Sequence, residues 1–559
     1  MTLVIIIGGG IAGLTAAHEL LNQNYKVILI ERNNIVGGLA RTIQSEKNKV
    51  CPYEYSWRAF GKWYQNVFQL MKNIPFSNTQ TVFDKLTILQ GGEKTCDKKI
   101  PNYENTFSKI PYKDLLKMFP TVLQYFSSCN DRNIQKYSSI GLKDYIHQHH
   151  LSKKAEDLIG KIVGPYLGFD YHHASVYDLL YGFEMMYNNS SSEFKFSITS
   201  LPTNFAWFDP WVRYLKHKGL QLHLNTEVSK ININNTNYIE NIKIYNKLTN
   251  TSTILKADYY VNCTGPEVLE KLIKPYSTRL NINQWYNDIK LVAKYGRQIQ
   301  LSIYYYLDKK IFLDNTNTLA YLPNTPWLLM VLPTGHIWGD KYLSKYCNKN
   351  IKEVVSVGIC EPYVHGNLIK KPWSKCTQKE IEIETWHQLI NDHDFVNNIC
   401  IEDNTPIKNI KIIEFKIWDS YVYKDGEINT YEPKWANNVN TRPHRPSEIT
   451  PIPNLFLAGS YSNTSTGIYS MESAAESGKK AAITICKYDN KPNNIYLYNK
   501  KNTLFLKPIR RLDCFLHKHN LTNIKVFILL ILLILVIFII LIIKNNYYKV
   551  NKSKNRTNL

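Results

Sequence analysis

The chain changes hydrophobic period twice within its first thirty residues. Residues 3–7 are uniformly apolar, residues 11 to about 21 carry apolar side chains at helical spacing, and residues 27–30 are uniformly apolar again before ending on Glu31. Short uniform runs predict strands buried on both faces, and the 3.6-residue spacing between them predicts a helix. The first junction reads Gly8-x-Gly10-x-x-Gly13. In a strand–helix–strand unit Gly8 permits the tight turn, Gly10 lets backbone approach a pyrophosphate, and Gly13 lets helix and strand pack closely. The helix N-terminus offers free N–H groups and a partial positive charge to phosphates. Glu31, 18 residues beyond Gly13, is placed to accept hydrogen bonds from ribose hydroxyls.

Elsewhere the pattern alternates between helical stretches, such as 113–126 and 152–163, and strand-like runs, such as 298–307 and 327–332. A short buried strand ends on Gly459 and is succeeded by helical spacing from Gly467 onward. Residues 526–543 are eighteen apolar residues without interruption, bounded by Lys525 and Lys544. That length crosses a bilayer core as a helix, and lysines at both ends reach head groups. The sequence therefore predicts a stalk over 491–524, a transmembrane helix over 525–544 and a basic tail over 545–559. Basic residues flank both sides, so the charge rule does not orient the span. With the fingerprint starting at residue 3 there is no room for a signal peptide, so the catalytic body is expected to be cytoplasmic and tail-anchored by a single pass.

The residues just after Glu31 separate two cofactor classes. Arg32 leads into a second glycine pair, Gly37-Gly38, and then Arg41-Thr42. A second glycine pair directly after the ribose-binding acid is not needed for NAD, but suits a longer flavin nucleotide lying against bare backbone. Arg41 is then a candidate partner for phosphate or for the flavin ring.

These blocks, with Glu54 to Arg58, Pro202 to Trp211, Gly219 to Val228, Asn262 to Pro266, Glu432 to Trp435 and Pro453 to Gly478, succeed one another as they do in a known family. The chain resembles the FAD-dependent amine oxidase superfamily, which includes phytoene-desaturase-like and protoporphyrinogen-oxidase-like flavoproteins. The resemblance implies an α/β fold: a Rossmann-type FAD-binding domain assembled from 1–75, 200–290 and 440–490, with an α+β substrate domain from 76–199 and 291–439. It implies FAD as cofactor, held by Gly8, Gly10, Gly13, Glu31, Arg32, Gly37, Gly38, Arg41, Thr42, Val228, Gly459, Ser460, Met471 and Glu472. The family usually has aspartate where this chain has Ser460, a residue that still hydrogen-bonds a hydroxyl but without charge. A helix starting near Gly467 would aim its positive end at the ring edge where charge develops on reduction.

The net charge of +22 ordinarily points to an anionic partner. Here lysine, asparagine, isoleucine and tyrosine are abundant together and no basic block interleaves with aromatics, so nucleic-acid binding is not expected. The ten cysteines show no paired spacing and read as reduced, mostly buried thiols. Histidines at 147, 149, 150, 172 and 173 lack the companion ligands of a metal site, and none is expected.

Membrane attachment favours an apolar substrate, so the leading expectation is hydride transfer from a polyene, isoprenoid or lipid-like molecule to flavin N5. The alternatives are an amine oxidase releasing aldehyde and peroxide, and a silent membrane flavoprotein whose only sequence support is Ser460. Arg58, Tyr469 and Lys294 are the candidate catalytic side chains: Arg58 for an anion, Tyr469 as an aromatic wall, Lys294 as a flavin-facing cation. Each also has an ordinary structural reading, as a strut, as packing and as a surface lysine respectively.

Overall fold

The first apolar run forms the centre of a five-stranded parallel sheet. In the computed structural model, which describes residues 1–88, 109–167, 170–189, 196–298, 300–313, 319–499 and 506–523, the strand order is Leu455–Leu457, Tyr259–Asn262, Leu3–Ile7, Lys26–Ile30 and Gln221–His223. Leu3–Ile7 carries Val4, Ile5 and Ile6 fully buried, as a strand covered on both faces requires. The helix Ile11–Asn22 covers one face, and the helix Met471–Tyr488 lies across it. Their approach is close enough that a Cβ on Gly478 would sit 2.5 Å from the carbonyl oxygen of Ala12. The C-terminal part of the described chain thus returns to the fingerprint as an edge strand and a covering helix. On the opposite face an antiparallel layer, Thr226–Ile233, Ile239–Asn246 and Thr251–Leu255, packs with the helices Pro266–Ile273 and Leu280–Tyr295.

A second five-stranded sheet is antiparallel, in the order Ala320–Leu322, Leu329–Pro333, Glu353–Ile359, Leu301–Leu307 and Ile412–Ile417. Its core holds the fully buried rings of Trp327, Trp373 and Trp418. A helical layer completes the body, with Tyr112–Ser127, Asn130–Tyr137, Leu142–Gln148, Lys153–Leu167 and Val176–Asn189 around Tyr125, Tyr137 and Tyr177.

Residues 491–524, expected as a stalk, are not free over their described part. The chain first runs back across the nucleotide-type body, where Asn66 pairs with the backbone of Tyr498 in both directions. It then forms the helix Lys507–Lys518, packed on Tyr112–Ser127 and Asn130–Tyr137. Asp513 anchors that helix, accepting from the backbone N–H of Cys129, from Arg132 Nε and from Asn523 Nδ2. A buried acid inside a polar segment masks the docking in the sequence. Cys51 and Cys347 are joined by a disulfide across 296 residues of sequence. This corrects the reduced-thiol reading for these two, because local spacing shows nothing of so distant a pairing, while Cys129, Cys263, Cys360, Cys376, Cys486 and Cys514 are free. The apolar run 526–543, the expected transmembrane helix, lies outside the described residues. Among the described residues no helix is long and apolar enough to cross a membrane.

Candidate functional site

Gly8 adopts φ +106° and donates its N–H to the Ile30 carbonyl, so the first turn closes onto the neighbouring strand. A Cβ on Gly13 would fall 2.0 Å from the Gly8 carbonyl oxygen, which leaves room only for hydrogen. Gly10 is the residue before the first helical turn, extended at φ −75° and ψ −177°, with no side chain capping the N–H groups behind it. A Cβ there would meet only the Cα of Gly38, at 3.8 Å. The second glycine pair faces it: Gly37 at φ +117° donates to the Gly9 carbonyl, and Gly38 comes next at φ +57°. Two bare backbone loops thus flank an uncapped helix N-terminus, the cradle that a pyrophosphate and the chain beyond it fill. These residues fit FAD.

Around that cradle several of the expected ligands also brace the protein itself. Glu31 is buried and accepts from the backbone N–H groups of Gly9 (2.7 Å) and Asn33 (2.9 Å); burial pushes its carboxyl up despite those bonds. Thr226 donates to the Glu31 carbonyl, which places the strand carrying half-buried Val228 beside the fingerprint. Arg32 and Arg41 do not reach into the cradle. Both donate to Glu432, at 3.0 and 2.9 Å, and Trp418 Nε1 donates to the same carboxylate. Burial opposes the Glu432 charge, but the two guanidinium groups outweigh it and hold the carboxyl below the usual range. Arg41 also stacks over Trp418 and donates to the Gly38 carbonyl. Arg58 donates to Glu54 and to the Leu39 carbonyl (2.6 Å), so it is a strut beneath the glycine-pair loop. Thr42 is held by Glu54 and Asn204 in the same buttress.

The C-terminal contribution centres on a loop of carbonyls. Gly459 donates to Ser477 Oγ, and beyond it Ser460, Tyr461 and Tyr469 line a pocket with Val292, Trp435 and Asn437. Buried Arg445 donates to the carbonyls of Ser460, Tyr461, Ser462 and Gly467, closing residues 460–467 into a fixed bow. Arg442 adds a bond to Gly467, pairs with Asp178 and stacks on Tyr177 and Tyr181, tying the bow to the helical layer. Neither arginine carries a motif in the sequence, because main-chain acceptors have no residue signature.

Three expectations change here. The helix begins at Met471, capped by Ser470, and not near Gly467, whose φ of +63° and triply used carbonyl belong to the bow. Met471 stands half-buried at the helix start. Glu472 turns away from the pocket to accept from the N–H groups of Asn66 and Val67, capping the helix Gln65–Asn73; burial lifts its carboxyl to about 7. Lys294 is exposed and lies over the ring of Tyr295, outside the pocket. A different lysine stands near the site: Lys434 is buried, donates to Gln300 Oε1 at 2.9 Å and lies 5.9 Å from the Tyr469 ring, and burial lowers its ammonium to about 8.

With this geometry in hand, residues 6–74 match the family model of an NAD(P)-binding Rossmann-like domain, and residues 418–486 match that of flavin-containing amine oxidoreductases. A 15-cis-phytoene desaturase of an Oncidium hybrid cultivar is 22% identical over 514 residues, covering 87% of this chain and 78% of the relative. An L-amino-acid oxidase of Demansia vestigiata is 22% identical over 520 residues, with 89% of each chain covered. Two solved structures share the fold. A putrescine oxidase with redesigned cofactor binding, a triple mutant, matches at TM-score 0.58 and 11% identity over 87% of this chain and 99% of its own. Cyclohexylamine oxidase from Brevibacterium oxydans matches at TM-score 0.54 and 14% identity over 88% and 100%.

Proposed function

Because the chain belongs to the FAD-dependent amine oxidase superfamily and is an FAD-dependent oxidoreductase, we propose that it oxidises an uncharged, apolar molecule of polyene, isoprenoid or lipid type, drawn from a membrane to which residues 526–543 attach it. The observation that carries this reading is the charge of the pocket wall. Its residues are Val292, Trp435, Ala436, Asn437, Thr441, Arg445, Ser460, Tyr461 and Tyr469. Arg445 is the one charged side chain among them, and its guanidinium is committed to four loop carbonyls. Among these nine lining residues there is thus no carboxylate to pair with an ammonium, and the one cation is already bonded to backbone. FAD held by the two glycine loops and the 459–471 segment would supply the redox chemistry, as a hydride acceptor. The protein's share is to fix the bow that carries Ser460 and Tyr461, and to set Tyr469 and Trp435 as apolar faces against which a neutral substrate lies.

A second reading, amine oxidation, is favoured by the same aromatic group of Trp435, Tyr461 and Tyr469. Lys434 does not separate the two readings, since a neighbouring cation shifts a bound amine towards the neutral form that gives up hydride. Anaerobic mixing of the FAD-loaded full chain with polyenes in nanodiscs and, separately, with primary amines tests both. Flavin bleaching by polyenes alone is the expected result. Bleaching by amines, with peroxide on readmission of oxygen, would replace the first reading with the second.

The catalytic body is proposed to lie on the cytoplasmic face. The support for this is the early start of the fingerprint; the Cys51–Cys347 bond weighs against it, because disulfides form in oxidising compartments and burial only slows their reduction. Protection of the body from protease on sealed, cytoplasm-side-out vesicles would reverse that orientation.

A further inference from the structure

Two helices of the described chain expose apolar residues where a soluble surface would be polar. On Tyr112–Ser127 the outward positions Tyr112, Leu115, Leu116 and Phe119 keep the i, i+3, i+4, i+7 spacing of one helix face, with Leu116 66% exposed. On Lys507–Lys518, Leu512 and Phe515 stand outward at 51% and 57%, and Leu521 comes just beyond the helix end. The two helices pack on one another, and Arg510 bonds the Phe126 carbonyl between them.

Charge on these faces has one sign. Lys113 on the first helix, and Lys507, Arg511 and Lys518 on the second, are exposed. Each helix has a single carboxylate, and both are turned inward: Asp114 accepts from Ser152, and Asp513 holds Cys129, Arg132 and Asn523. Exposed apolar positions bordered by cations, with acids withdrawn, match the boundary of a bilayer with anionic head groups. The chain supplies the second argument for that occupant. The docked helix leads to Asn523, and the eighteen-residue apolar run of the sequence begins three residues later, at Val526.

We infer that the outer faces of Tyr112–Ser127 and Lys507–Lys518 form a platform that lies in the head-group region of an anionic bilayer. The inference rests on the attachment reading above and extends it. A span alone does not fix which side of the helical layer faces the lipid, whereas a platform does. The layer is the one that Tyr177, Tyr181 and Arg442 join to the Ser460–Gly467 bow, so the fixed side communicates with the pocket.

The test uses the FAD-loaded full chain in phosphatidylcholine–phosphatidylserine vesicles, nitroxide-labelled in turn at Leu116→Cys, Phe515→Cys and, as a control on the distant Ile239–Leu255 hairpin, Leu248→Cys. The labelled parent chain serves as the blank for native thiols. The expected result is greater accessibility to dissolved oxygen than to a water-soluble nickel complex at 116 and 515, with the reverse at 248. Nickel accessibility at 116 or 515 equal to that at 248, in chains that float with the vesicles, overturns the platform while leaving attachment intact. Spin–spin broadening between copies at either site assigns the faces to a second copy and also overturns it. Chains that do not float overturn attachment and platform together.

Discussion

Replacing Gly10 with alanine separates cofactor binding from folding. The residue is already extended, at φ −75° and ψ −177°, a conformation alanine adopts freely. Its new methyl would meet only Gly38 Cα at 3.8 Å, an ordinary contact. Alanine is a slightly poorer residue than glycine at a helix start, and it stiffens the unfolded chain by a similar amount, so the apoprotein's stability should change by less than about 1 kcal/mol. The methyl nevertheless stands in the gap between the two glycine loops, in front of the uncapped N–H groups. Hydrogen bonds from such groups to a charged oxygen are worth about 1.5–3 kcal/mol each. Losing the equivalent of one or two, about 3 kcal/mol, weakens FAD roughly a hundredfold. The assay pairs thermal melts of the deflavinated full chain with an FAD titration monitored by tryptophan quenching. Gly13→Ala supplies the contrast: with its Cβ 2.0 Å from the Gly8 carbonyl oxygen, it should lower both the melt and the affinity. A Gly10→Ala protein that melts like the parent and binds FAD within threefold of it would refute the placement of the pyrophosphate.

Arg445→Lys keeps a charge but cannot span four carbonyls, so it should cost at least about 3 kcal/mol in apoprotein melts and shed flavin on gel filtration; parental behaviour would show the bow to be self-supporting. Glu472 has its carboxyl lifted by burial to about 7, from an ordinary 4.5, so the folded state holds more protons than the unfolded one between those values. Stability should therefore rise as pH falls from about 7 towards 4.5, by up to about 3 kcal/mol from this group, and urea melts of Glu472→Gln should lose that increment. Cys347→Ser should destabilise by at most roughly 6 kcal/mol on the chain-entropy estimate for a closed loop of this length. Because both sulfurs are buried, glutathione should open the bond only when denaturant is added, as read by mass shift after alkylation; opening in the native protein would contradict the burial argument.

The part of the site visible in the sequence is the part made by neighbours along the chain. Gly8, Gly10 and Gly13 act within one turn of one another, and the period change around them marks the strand–helix junction. Ser460 and Tyr469 are reachable because a buried strand ends just ahead of them. The residues that escape a sequence reading depend on partners far off or without side-chain identity. Glu432 lies 391 positions from Arg41 and 400 from Arg32, and in sequence both arginines read as cofactor-binding, Arg41 as a partner for phosphate or the flavin ring. Arg445 binds carbonyls that any residue could offer. Glu472 reads in sequence as a cofactor contact, yet its partners are backbone N–H groups at the start of Gln65–Asn73. The helix Lys507–Lys518 looks like a tether because its one internal acid, which breaks the apolar pattern, is the residue that docks it.

Amide exchange on the deflavinated full chain, with and without FAD, is the most direct measurement of the cofactor being gripped from both ends of the globular body. Slowing together at residues 8–13, 37–41 and 459–471 is the predicted outcome. Protection confined to the N-terminal loops, with 459–471 exchanging as before, would contradict it.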